Sequence, residues 1–254
     1  MPRLSGKIAL ITGGGTGIGR ACALGFAQEG AQVAIVGRKK PPLDAVAREI
    51  EASGGKALAV TCDVTSRASV EAAVAAASKH FDGLNVVVNN AGAIVVGTVE
   101  GTSDEDWNQV MATNLTGTFF VSRAAIPNLR AAGGGSIVNI GSYLGIVARK
   151  QRAAYCAAKA GVAGLTRAMA LDHAHDKIRV NCICPAITET EMATQSLAKA
   201  PDPEAARKQR TAEIPLGRFG KPEDIAFMAV FLASDESSWM TGVSLPLDGG
   251  QIAS

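Results

Sequence analysis

Apolar residues are gathered into short runs rich in Val, Ile and Ala, and longer stretches with helical periodicity lie between them. Runs of this length bounded by Gly, Asn and Thr read as strands buried on both faces. They fall at residues 7–12, 32–37, 57–61, 84–89, 136–140, 179–183 and 243–247. The intervals predict helices over 18–30, 41–53, 66–80, 104–131, 153–175 and 222–233. Strict alternation of strand and helix predicts an α/β fold: a Rossmann-like, doubly wound parallel sheet of seven strands with helices on both faces. A four-residue rhythm of alanines over 70–77 suits close packing of a helix on that sheet. No repeat or linker divides the chain, so residues 1–254 are expected to form a single domain. The rhythm breaks only over 188–215, which is polar, helix-prone and long for a connection in a compact domain.

Composition narrows the function classes. With 47% hydrophobic residues in 254 the chain can bury a large core, and a net charge of +2 without basic runs argues against a nucleic-acid partner. No apolar run approaches the ~18 residues of a membrane span, and the N-terminus shows no signal-peptide core, so no membrane partner is expected. Cys22, Cys62, Cys156, Cys182 and Cys184 form no CxxC pair, so no metal is expected and reduced thiols in a cytoplasmic protein are. His80, His173 and His175 lie on polar helical stretches and need no special role.

Three local patterns carry chemistry. The first predicted strand runs into Gly13, Gly14, Gly15, Thr16, Gly17, Ile18 and Gly19 and then a helix, a TGxxxGxG spacing. Glycines let a backbone turn sharply and approach a pyrophosphate, and free N–H groups at a helix start attract it. Tyr155 and Lys159, four residues apart, share a helix face. A cation beside a phenol stabilises phenolate, so Lys159 is expected to lower the Tyr155 pKa towards the working pH. Ser142, beyond the end of the fifth predicted strand, would face the ligand crevice of such a sheet and hydrogen-bond a substrate oxygen.

With these motifs in order, together with Asp63-Val64, the NNAG of residues 89–92, Asn114, Pro185 to Thr190 and the terminal DGG, the sequence resembles the short-chain dehydrogenase/reductase family in its roughly 250-residue subclass. The resemblance implies hydride transfer between NAD(P) and the carbonyl or secondary alcohol of a small molecule. It makes Tyr155 the proton donor or acceptor, Lys159 its partner and a ribose ligand, Ser142 the orienter of substrate and Asn114 a support for a water-mediated proton relay. The implied cofactor contacts are Gly13, Gly15, Thr16, Gly17, Ile18, Gly19, Asp63, Val64, Asn90, Ala91, Gly92, Tyr155, Lys159, Pro185, Thr188 and Thr190. The residue after the second strand meets the adenosine ribose in this fold, and Arg38 with Lys39 stands there without a carboxylate, which favours NADP(H), with NAD(H) as the alternative.

Ser142, Leu144, Tyr155 and Met192 are the expected substrate contacts, and 188–215 is expected to form a lid from which Met192, Gln195, Ser196 and Leu197 reach the substrate. Ala186 stands where the family usually has glycine after Pro185, and its methyl is expected to crowd the nicotinamide edge or shift the loop. A ketone reductase or alcohol dehydrogenase is the favoured reading. The alternative is a 3-oxoacyl-[acyl-carrier-protein] reductase, for which Arg130, Arg149, Lys150 and Arg152 are the basic candidates; a non-catalytic NADPH-binding scaffold is a more remote one. Relatives of this length imply a homotetramer or homodimer joined through the helices over 104–131 and 153–175 and the C-terminal segment.

Overall fold

β-branched and small apolar runs become seven strands in the computed structural model, which describes residues 2–253. These are β1 (Ile8–Thr12), β2 (Gln32–Gly37), β3 (Lys56–Thr61), β4 (Val86–Asn89), β5 (Gly135–Ile140), β6 (Ile178–Pro185) and β7 (Ser244–Leu247). The helices are α1 (Gly17–Gln28), α2 (Lys40–Ala52), α3 (Arg67–Phe81), α4 (Asp104–Met111), α5 (Gly117–Ala131), α6 (Ala153–Asp172), α7 (Glu191–Leu197), α8 (Pro203–Ala212) and α9 (Pro222–Ala233). The strands form one sheet in the order β3-β2-β1-β4-β5-β6-β7, all parallel. Chain order reverses between β1 and β4, so the crevice past their C-terminal ends is where this topology binds ligands.

Alternation along β1 feeds two cores. Ala9 and Ile11 join Phe26, Ile35, Leu43 and Ile225 on the α1, α2 and α9 face, while Leu10 joins Val36, Val87, Leu129 and Ile137 on the α3 and α5 face. Burying each such large side chain is worth about 1.5–3 kcal/mol, and this two-sided burial is what the continuous apolar runs encode.

Most boundaries shift by one or two residues from the sequence reading, and four differences stand out. β4 begins at Val86 rather than at residue 84, because the Asn85 side chain accepts the Ile8 N–H (2.8 Å) that a ladder carbonyl would take. The helix expected over 104–131 is interrupted by a π-helical turn at Ala112–Thr116, where Asn114 Nδ2 donates to Val110 O (2.9 Å). A side-chain amide that takes the carbonyl one turn back competes with the helical ladder. α6 stops at Asp172, short of residue 175, and a 3₁₀ turn ending in left-handed Lys177 (φ 57°) leads into β6. The 188–215 segment folds into α7 and α8.

Candidate active site

β1 ends in Thr12, whose Oγ1 accepts the N–H groups of Asn90 (2.9 Å) and Ala91 (3.0 Å) just beyond β4. Asn90 Nδ2 donates back to Thr12 O (2.9 Å), so the two strand ends at the switch point are tied together. Between them the glycine turn is held by close approach. Gly13 lies at φ 63°, and a Cβ on Gly19 would sit 2.2 Å from Gly13 O, so a side chain at Gly19 would close the turn. α1 then opens from Thr16 in extended conformation with no side-chain cap, leaving its first N–H groups free of a side-chain acceptor. This side-chain-free cradle at a helix start fits the pyrophosphate of a dinucleotide.

A crevice of about 550 Å³ runs from this turn to the C-terminal ends of β5 and β6. It brings together Gly13, Thr16, Gly17, Ile18, Lys39, Asn90, Ala91, Gly92, Asn114, Ser142, Leu144, Tyr155, Lys159, Pro185, Thr188, Thr190 and Met192. Gln195 and Ser196 of α7 line it too, and Leu197 lines a neighbouring pocket with Arg207 and Phe219.

At its floor, Tyr155 lies in the first turn of α6, where the Ser142 hydroxyl favours its ionised form. Lys159, one turn on and 5% exposed, donates from Nζ to Ile140 O (2.7 Å), with Nζ 5.7 Å from the centre of the Tyr155 ring. Asn114 is held by the π turn: Nδ2 donates to Ala93 O (2.8 Å), and Oδ1 accepts the Ala93 N–H (3.4 Å). A Cβ on Gly92 would lie 3.0 Å from Asn114 Oδ1 and 4.0 Å from Lys159 Nζ, so glycine keeps the approach to both open.

Comparison with known proteins agrees with this arrangement. A family model described as enoyl-(acyl carrier protein) reductase matches residues 13–251. The chain is 45% identical to 2,5-dichloro-2,5-cyclohexadiene-1,4-diol dehydrogenase LinX of Sphingobium indicum, over 98% of this chain and 97% of the relative. It is 41% identical to the 3-oxoacyl-[acyl-carrier-protein] reductase FabG of Thermotoga maritima, over 98% and 99%. A crystal structure from Beutenbergia cavernae with NADP bound at low occupancy superposes with a TM-score of 0.93 at 37% identity, over 100% of both chains. The chain belongs to the short-chain dehydrogenase/reductase family. It is an NAD(P)-dependent oxidoreductase acting on CH–OH and C=O groups.

Within that family frame the expected residues meet different environments. Burial pushes the Tyr155 phenol up to about 12, and the Ser142 hydroxyl opposes this only in part. Burial also pulls Lys159 down to about 8, with Cys182 and Cys184 favouring its charged form. Both groups are thus biased towards neutrality by the same desolvation. Gly15, Gly19, Arg38, Asp63 and Val64 do not line the crevice. Gly15 is shaped by packing, since a Cβ there would lie 3.0 Å from Pro42 Cβ, and Val64 packs under Gly117 at the start of α5. Asp63 Oδ1 accepts from the N–H (3.0 Å) and hydroxyl (2.8 Å) of Thr65, which hold its carboxyl below the usual range with help from Arg38. Arg38 is exposed and beside Lys39, the residue preceding α2. Ala186 has an ordinary negative φ and accepts the Thr188 hydroxyl (3.1 Å), so this position needs no glycine for its backbone.

Sequence reasoning missed two features. A buried polar ladder lies beneath the site: Asn89 Nδ2 donates to Ser122 Oγ (3.0 Å) and Asn139 Oδ1 (2.8 Å), and Asn139 Nδ2 donates to Thr166 Oγ1 (2.8 Å). It joins β4, β5, α5 and α6 under Lys159 and Asn114. The other is the burial of Arg152, which the sequence offered only as a basic candidate for a carrier protein: it is 8% exposed and lines the crevice, as does Arg210 of α8. Asparagines inside apolar runs were the available signal for the ladder; nothing in the sequence distinguishes Arg152 from a solvated loop residue.

Proposed function

We propose that this enzyme uses NADP(H) to interconvert a small-molecule ketone and its secondary alcohol. The observation that carries this reading is the grouping of Ser142, Tyr155 and Lys159 on the floor of a crevice whose other end is the glycine cradle. When bound, the nicotinamide supplies or receives the hydride. Tyr155, protonated across the neutral range, donates its proton to the substrate oxygen in the reductive direction. Ser142 gives the same oxygen a second hydrogen bond and steadies the charge that develops there. Lys159, largely ammonium at neutral pH, lies beside the phenolate so formed and favours it more as charge develops. Asn114 orders the β4 side of the floor through Ala93, in line with a relay that returns a proton towards Lys159.

NADP(H) is favoured because Arg38 and Lys39 follow β2 with no carboxylate between them and the ribose position, and guanidinium pairs well with a phosphate. A small molecule is favoured over a carrier protein because the basic candidates do not form an exposed ridge. Arg130 is paired with Asp176 (2.7 Å), Arg149 with Glu213 (2.6 Å), and Arg152 is buried. α7 and α8 serve as the lid in this reading, α7 supplying Met192, Gln195 and Ser196. A homotetramer or homodimer is supported by exposed Phe119, Leu171 and fully exposed Trp239. Reduced thiols support a cytoplasmic location.

The test is NADPH consumption with a ketone panel and acetoacetyl thioesters, using wild type and Tyr155→Phe. Turnover of simple ketones that Tyr155→Phe abolishes supports the proposal. Turnover that survives the substitution, or that requires a carrier-linked thioester, overturns it.

A further inference from the structure

The substrate end of the crevice is built for an anion. Arg152 immediately precedes α6 and is 8% exposed, yet its side chain makes one hydrogen bond, from Nη1 to Gln151 O (2.8 Å), and no ion pair. A guanidinium carries five N–H donors, and burying one beside no carboxylate is costly. Arg210, half-buried on α8, lines the same wall and makes neither a hydrogen bond nor an ion pair among the described residues. The two repel: burial, then Arg149, lowers the pKa of both, and Arg152 further lowers that of Arg210, whose charged form Glu213 favours without forming an ion pair with it.

Their neighbour Arg149 contrasts with them, because Glu213 neutralises it through two bonds of 2.6 and 2.9 Å. Lys199 adds a third cation to the rim. Glu191 is the only carboxylate lining the crevice among the described residues, and its Oε1 is engaged by Gln195 Nε2 (3.1 Å). An unpaired, mutually repelling pair of arginines beside the reacting tyrosine calls for an oxyanion supplied from outside.

We propose that the substrate is a short hydroxy acid or oxo acid whose carboxylate is held between Arg152 and Arg210, a reading that rests on the oxidoreductase function proposed above. Arg152 stands three residues before Tyr155, about one helical turn away, and the two side chains interact electrostatically. The carboxylate therefore lies only a few bonds from the carbon that is oxidised or reduced. Planar guanidinium groups suit it through paired hydrogen bonds. Because α8 carries Arg210, binding of the acid would draw this helix towards α6 and join lid position to substrate charge.

The test compares acetoacetate with methyl acetoacetate, which present the same ketone with and without the charge. The ratio of their kcat/KM values is measured in wild type, Arg152→Gln, Arg152→Lys and Arg210→Gln. A charge-assisted hydrogen bond predicts that wild type prefers the acid by about tenfold or more, that either Gln variant lowers this ratio about tenfold, and that Arg152→Lys retains part of it. Equal handling of acid and ester by wild type, or a ratio unmoved in both Gln variants, overturns the proposal.

Calorimetric titration with malonate, with and without saturating NADP⁺, tests the anion site without turnover. Binding weakened about tenfold in Arg152→Gln and Arg210→Gln supports it; absent binding, or binding indifferent to both substitutions, overturns it. If neither acetoacetate nor its ester is turned over with either cofactor while malonate binding remains arginine-dependent, the oxidoreductase reading fails and the anion site stands.

Discussion

Replacing Lys159 with methionine should stabilise the protein at neutral pH while removing its activity. The ammonium is buried and its pKa is drawn from 10.5 to about 8, chiefly by desolvation, which amounts to about 3 kcal/mol at about 1.4 kcal/mol per pH unit. Because the folded pKa lies below the unfolded one, the unfolded chain holds this proton more tightly between about 8 and 10.5. The penalty is therefore full below about pH 8 and fades as pH rises towards 10.5. Methionine fills a similar volume without charge but leaves Ile140 O without the 2.7 Å hydrogen bond from Nζ, a loss of about 1–2 kcal/mol. The variant should then be about 1–2 kcal/mol more stable at pH 7, and its advantage should fall by about 2 kcal/mol by pH 9.5. Urea unfolding of both proteins across that range reads the gap directly. A gap that stays constant with pH would refute the reasoning, because it would place no desolvated ammonium at Lys159.

Other outcomes follow from the same geometry. Tyr155→Phe should lower kcat by about 10²–10⁴ with NADPH binding retained, as judged by steady-state kinetics and fluorescence titration. Wild-type reduction should fall as pH rises through about 8, where Lys159 loses its proton, while Tyr155 keeps its own up to about 12; a pH–rate profile checks this. Asn139→Ala should cost about 2–4 kcal/mol in urea unfolding, because Asn89 and Thr166 both lose a buried partner. Arg38→Asp should weaken NADPH binding about tenfold or more and affect NADH far less, measured by paired titrations.

The seven strands and the glycine turn were legible because periodicity and turn chemistry are local. Seven apolar runs became the seven strands, with boundary shifts such as the one Asn85 imposes on β4. The π turn at Ala112–Thr116 was not legible, since it depends on the Asn114 amide finding Val110 O rather than on any hydrophobic period. The Tyr155–Lys159 spacing put both side chains at one crevice but carried no information about the burial that raises the phenol pKa. Among the basic candidates the sequence could not separate paired from unpaired charge. Arg130 and Arg149 meet their acids 46 and 64 residues away, and only the fold shows that Arg152 and Arg210 make no ion pair among the described residues.

Titration of the purified protein with NADPH and NADH, followed by turnover of a ketone panel with each, bears most directly on the central claim. The account predicts NADPH binding at least about tenfold tighter than NADH, and ketone reduction that Tyr155→Phe abolishes. Tighter NADH binding would contradict the role given to Arg38 and Lys39, and binding of neither cofactor would contradict the enzyme as described.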